Sequence, residues 1–201
     1  MTSRRTTSGA AIVLGIVAAL LAACSDPAPA PTPSVVITTP TTSPTPSPTP
    51  SSAPSVDPTT AAAEAAILKA YQGYWDTKVQ IFAAPSVGSA PFEGLWTQFA
   101  LYAVDTAQSE VYSTAFDMQR NGIAVHGHPA LAPKVSDVVP GQSASITDCV
   151  DSTDWQPVYT ATGKSAAAPG QAPRLVTKST ALFYDNRWVI NASVVNRDTP
   201  C

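Results

Sequence analysis

Past residue 57 the apolar positions recur first with a helical period and later with a period of two. Asp57-Pro58 has the chemistry of an N-cap followed by a proline in the first turn. The spacing predicts a helix from there to about Ala83, ahead of Pro85, with Ala63, Ile67, Tyr71, Tyr74, Trp75 and Phe82 on one stripe. A short helix is expected from Pro91 to Ala100, carrying Leu95, Trp96 and Phe99. A third begins near Asp105, buries Ala107, Val111, Ala115 and Met118, and stops at the C-cap pair Asn121-Gly122.

Beyond Gly122 the alternation is that of strands. Val135–Val139 runs into the turn dipeptide Pro140-Gly141, and Ser143–Val150 alternates through Ala144, Ile146 and Asp148. Val158–Ala161 is short. Leu175–Tyr184 and Arg187–Val195 flank Asp185-Asn186, a pair that tolerates the left-handed backbone of a tight hairpin. Gly163–Pro173 reads as a hairpin loop. Helices followed by an antiparallel meander predict an α+β domain of residues 61–201, with helices on one face of a curved sheet.

The first 60 residues follow neither period. Arg4 and Arg5 precede an uncharged apolar run from Gly9 to Ala23, which ends in Leu21-Ala22-Ala23-Cys24. A basic start, a short apolar run and small residues make an export signal over residues 1–23. The run is shorter than the ~20 residues that span a bilayer. The box resembles a bacterial lipoprotein signal, which would make Cys24 the lipidated first residue of the mature chain. The plainer alternative is a secretory signal with Cys24 incidental. Arg4-Arg5 also raises twin-arginine export, although Thr6-Thr7 stands where that motif has an apolar pair.

From residue 24 to 60 composition predicts a linker. Eleven of the chain's 20 prolines fall there among Ser, Thr and Ala, without an aromatic residue. Such a segment cannot bury enough apolar surface to offset its ordering entropy, and Thr-Pro and Ser-Pro alternation favours extended polyproline II. The same run is compatible with O-glycosylation.

Assigning Cys24 to lipid leaves Cys149 and Cys201, an even number in an oxidising compartment, and they are expected to pair. The alternative is two free buried thiols. Without Arg4 and Arg5, nine basic residues face 14 acidic ones, a net charge of −5. This balance argues against nucleic acid and against an electrostatic grip on anionic surfaces.

Candidate chemistry is sparse. His126-Gly127-His128 presents two imidazoles to a metal only if it lies on a strand, and no third His or free Cys completes the set. Asp148, Asp151 and Asp154 cluster about Cys149, but Asp151-Ser152-Thr153-Asp154 is turn chemistry, which leaves Asp148 as the inward one. Asp105, Tyr102, Tyr112, His126 and Tyr159 are the groups available for acid–base work, and none sits in a catalytic motif. Tyr71, Tyr74, Trp75 and Trp96 are candidates for pocket lining, against the alternative of plain core at helical spacing. No nucleophile-elbow sequence supports a hydrolase.

Tyr71-Gln72-Gly73-Tyr74-Trp75 is followed by Gly127-His128-Pro129, Thr147-Asp148-Cys149-Val150-Asp151, Thr162-Gly163, Arg187-Trp188-Val189-Ile190 and a final Cys201. In that order the chain resembles actinobacterial secreted proteins and lipoproteins with a nuclear transport factor 2-like, or ketosteroid-isomerase-like, domain. The resemblance covers about residues 61–201 and is most specific at Asp-Cys-Val-Asp and the Trp of the last hairpin. It implies a cone-shaped, cystatin-like roll with a pocket at its open end. That fold serves enzymes, binding modules and inert domains alike, so it does not fix function. The expectation is a lipoprotein on the outer face of the cell membrane. It would display a non-enzymatic domain for an envelope protein partner or a small apolar ligand, with no cofactor or metal. The competing expectations are a small lyase or isomerase using the cone pocket, and an inert spacer head.

Overall fold

The computed structural model describes residues 58–201, so the signal, Cys24 and nearly all of the linker lie outside the described residues. Three helices precede six strands: α1 (Pro58–Ala83), α2 (Ala90–Phe99), α3 (Asp105–Asn121), β1 (Ile123–Gly127), β2 (Lys134–Val139), β3 (Ser143–Asp151), β4 (Trp155–Tyr159), β5 (Arg174–Tyr184) and β6 (Arg187–Pro200). The α+β order and the three helices agree with the periodicity. α1 starts at Pro58, three residues ahead of the boundary that composition gives.

All six residues of the α1 stripe are buried, as are the four on α3. Ser89 caps α2, its hydroxyl accepting from the Phe92 N–H at 3.3 Å. Gly122 ends α3 with φ 63°, the left-handed cap that a glycine adopts at no steric cost.

The strands form two antiparallel sheets, one of four strands in the order β2-β3-β5-β6 and one of two, β1-β4. In the larger sheet, Asp148 lies opposite Thr177 and Ile146 opposite Ser179, so these side chains share one face. Ala144, Ile146, Asp148 and Val150 all point inward, as the alternation predicts. Asp185 and Asn186 take φ 50° and 58° and close the β5–β6 hairpin. Register breaks interrupt β2 near Asp137, and β6 opposite both Thr180/Ala181 and Leu175/Val176. Such breaks bend a strand and increase its twist.

The long connection after β4 departs from the sequence expectation. Gly163–Pro173 is not the loop of a β4–β5 hairpin. It turns back tightly, with the Gly163 N–H bonded to the Tyr159 carbonyl and Ser165 bridging Val158. It then leaves the small sheet for the large one. Ile123–Gly127, to which the sequence assigns no element of its own, is strand β1, paired with β4 from Ile123↔Tyr159 to Gly127↔Trp155. Its five residues follow the α3 cap at once, and most of their stability comes from a partner 30-odd residues away, so local alternation could not reveal it.

Gly127 is where β1 tolerates no side chain. It has φ 86°, and a Cβ there would overlap the Asp154 carbonyl oxygen, which accepts the His128 N–H at 3.1 Å. Gly127→Ala is therefore expected to cost about 2 kcal/mol or more from strain alone. Denaturant midpoints check this; a loss within a few tenths of wild type would show that the β1–β4 edge is not fixed by this contact.

Candidate functional site

Beneath α1 the large sheet carries a buried polar row in place of a purely apolar face: Asp148, Thr177, Ser179 and Ser193. Ser179 and Ser193 share a hydrogen bond of 2.9 Å across β5 and β6. The Tyr71 hydroxyl donates to Asp148 Oδ2 at 3.0 Å, and the Ala132 N–H donates to Oδ1 at 2.7 Å. Asp148 is 1 % exposed and Tyr71 is equally buried. Burial pushes the Asp148 pKa upward, tempered by the Ala132 N–H and then the Tyr71 hydroxyl. Burial also raises the Tyr71 phenol, with the Asp148 charge adding to it. The Trp75 indole N–H tempers that rise from a position that misses hydrogen-bond geometry.

Beside this pair lies a cavity of about 400 Å³ between α1, α3 and the strands. Trp75, Phe82 and Trp155 form its aromatic wall, with Trp75 and Trp155 edge to face at 5.6 Å and Phe82 stacked on Trp155 at 6.1 Å. Thr177 lines the sheet side, and its buried hydroxyl has no hydrogen-bond partner among the described residues; neither has the Trp155 indole N–H. Lys78 enters from α1, its Nζ 4.2 Å from the Trp75 ring centroid, while Glu110 and Arg197 are the other charged residues of the lining. A second cavity of about 430 Å³ shares Phe82, Trp155 and Arg197 with the first and extends along Met118, Val125 and Ala166.

No family model matches this chain, and no curated protein does either. Among solved structures it is similar to the intermembrane-space region of the chloroplast protein ARC6, at 11% identity and TM-score 0.42, covering 74% of this chain and 100% of that one. A de novo designed β-sheet protein is similar at 13% identity and TM-score 0.33, covering 66% of this chain and 89% of that one. Likenesses at this level carry no functional argument.

Of the four candidate lining residues, Tyr74 and Trp75 line the cavity. Tyr71 sits deeper, on Asp148. Trp96 packs away from the cavity against Phe92, Phe99 and Tyr112. Cys149 and Cys201 form a disulfide with Cα atoms 6.0 Å apart. Asp105, Tyr102, Tyr112, His126 and Tyr159 do not line either cavity. His126 and His128 are exposed at the end of β1, and no group of three or more metal-ligating residues gathers among the described residues. Asp151 turns outward onto the Thr153 hydroxyl and N–H, which lower its pKa. No described helix is long and apolar enough to cross a membrane.

Lys78, Trp155 and Thr177 were not among the residues that sequence reasoning singled out. Lys78 carried a signal. It stands four residues after Tyr74 and four before Phe82, a cation inside an aromatic stripe. Trp155 and Thr177 carried none, because only the fold brings them to α1.

Proposed function

We propose that the chain is a lipoprotein anchored through Cys24 to the outer face of the cell membrane, and that it displays a non-enzymatic binding domain. The domain is of the nuclear transport factor 2-like type, a cone-shaped roll whose ligand enters between α1, α3 and the strands. The Leu-Ala-Ala-Cys box and the proline-rich spacer support the anchor. Helices against a four-stranded antiparallel sheet with bent strands support the roll. One observation carries the binding reading: the aromatic-walled cavity holds a buried Thr177 hydroxyl and a Trp155 N–H with no protein partner, a mix of apolar wall and few polar groups that suits a small ligand.

Native mass spectrometry of protein released gently from membranes tests this. Wild type carries a small-molecule adduct. Thr114→Trp, which places a large side chain at an exposed position of the lining, loses it. Absence of any adduct across several growth conditions sinks the reading. For the anchor, Cys24→Ala is expected to release the protein from the detergent-partitioning fraction or leave it unprocessed. Cleaved protein with full membrane retention argues against lipidation.

The carboxyl–phenol pair of Asp148 and Tyr71 gives the lyase or isomerase alternative its support, since a buried acid with a raised pKa is a catalytic candidate. Weighing against it, both oxygens of Asp148 are already bonded, and neither residue lines the cavity.

A further inference from the structure

We infer that the cavity takes a small amphipathic carboxylate, with its head at Lys78 and Arg197 and its apolar body on Trp75, Phe82 and Trp155. This rests on the binding reading above and adds the charge of the occupant.

Lys78 Nζ stands within reach of four rings: 4.2 Å from the Trp75 centroid, 5.4 Å from Tyr74, 5.8 Å from Phe82 and 6.0 Å from Trp155. Ring quadrupoles attract an ammonium but do not neutralise it. The ion pairs among the described residues are Arg174–Asp151 and Arg187–Asp185. Lys78 therefore faces the cavity without a carboxylate, and Glu110, which shares the lining, pairs with neither cation there.

The second cation arrives through an irregularity of β6. Asn196 pairs with Val176 and Pro200 with Leu175, so three extra residues bulge between two neighbouring pairs. Arg197 is the first of them. Its guanidinium donates to Gln171 Oε1 at 3.2 Å, a neutral acceptor that leaves the charge uncompensated. Two cations against one carboxylate give the lining a single positive excess.

The polar groups of the lining match that charge. An ammonium, a guanidinium and an indole N–H are donors only, and the Thr177 hydroxyl can donate. A carboxylate is acceptor-only and suits a lining of such donors. A quaternary ammonium would have to displace Lys78 from its rings, and an alcohol would fill the wall but leave the cations unanswered. The adjoining cavity, with Met118, Val125 and Ala166, gives an apolar tail room to continue past Phe82 and Trp155.

The test titrates decanoate, decanol and decyltrimethylammonium into the full-length, disulfide-intact chain, following tryptophan emission and calorimetric heat. Decanoate is expected to bind about tenfold or more tighter than decanol, as a charge-assisted contact implies. Lys78→Gln should remove that preference by weakening decanoate far more than decanol. Arg197→Gln should reduce it in part, as a second variant should Lys78→Gln disturb packing. Equal affinity for decanoate and decanol overturns the charge assignment and leaves the cavity reading intact. Tighter binding of the ammonium overturns it in favour of a cation cage. Failure of all three to bind overturns both readings.

Discussion

Breaking the Cys149–Cys201 bond lowers the unfolding free energy by about 4 kcal/mol in the chain-entropy model for a loop of this size. The two cysteines are 52 residues apart in sequence. Cys149 faces outward from β3, since Asp148 beside it faces in, and Cys201 follows β6, with β5 between these strands in the sheet. The bond therefore straps the segment after β6 across β5. Its backbone support there is one hydrogen bond, from the Cys201 N–H to the Arg174 carbonyl at 3.3 Å. A segment held this lightly frays without a covalent tie. Guanidinium midpoints with and without reductant measure the loss, and a Cys149→Ser/Cys201→Ser double variant separates it from reductant effects. If the midpoint moves by less than that of an ordinary surface variant, the bond is ornamental to stability.

Asp148→Ala is expected to cost about 2–3 kcal/mol, because the buried Tyr71 hydroxyl loses its partner at roughly 1–3 kcal/mol and the part-buried Ala132 N–H loses its own at less. Asp148→Asn keeps an acceptor for Ala132 and should cost less. Tyr71→Phe has a different signature. The fold raises the Tyr71 pKa above its ordinary value, so the folded chain holds the phenolic proton more tightly than the unfolded chain does. That contribution is complete below pH ~10 and is lost as pH rises beyond it, at up to about 1.4 kcal/mol per pH unit. Wild type and Tyr71→Phe should therefore converge above pH ~10. Stability curves that stay parallel from pH 9 to 11 would show that the phenol does not titrate with unfolding.

Asp148 acts in the same direction at acid pH. Its folded pKa is also raised, so its ionised form is the one the fold disfavours. Stability from this residue is complete below pH ~4 and is lost as pH rises through its folded value. Asp151, with a lowered pKa, opposes it, and its stabilisation fades as pH falls. Asp148→Asn removes only the first effect, which isolates it.

The fold was legible where periodicity is local. α1 and α3 announced their buried faces residue by residue, and Asn121-Gly122 marked its own stop. The inward parity of Asp148 was readable as well, because Ala144, Ile146 and Val150 around it fix the phase of the strand. What stayed hidden depends on distant pairing. β1 needs β4 to be a strand, and the loop after β4 gave no sign that it would leave one sheet for another. The cavity has the same limit. Its α1 wall lies on one helix and was half visible, whereas its strand wall comes from residues such as Trp155, Thr177 and Arg197, whose nearness to α1 is settled by topology and by a bulge in β6.

Every lining residue of the first cavity that does not come from α1 or α3 lies between Cys149 and Cys201. The disulfide therefore closes a covalent ring around one entire side of the site, including the bulge that carries Arg197. On the binding reading proposed here, the grip on a ligand is coupled to the closing of that ring. A chain with both thiols reduced is expected to hold its ligand more weakly than one with the ring shut.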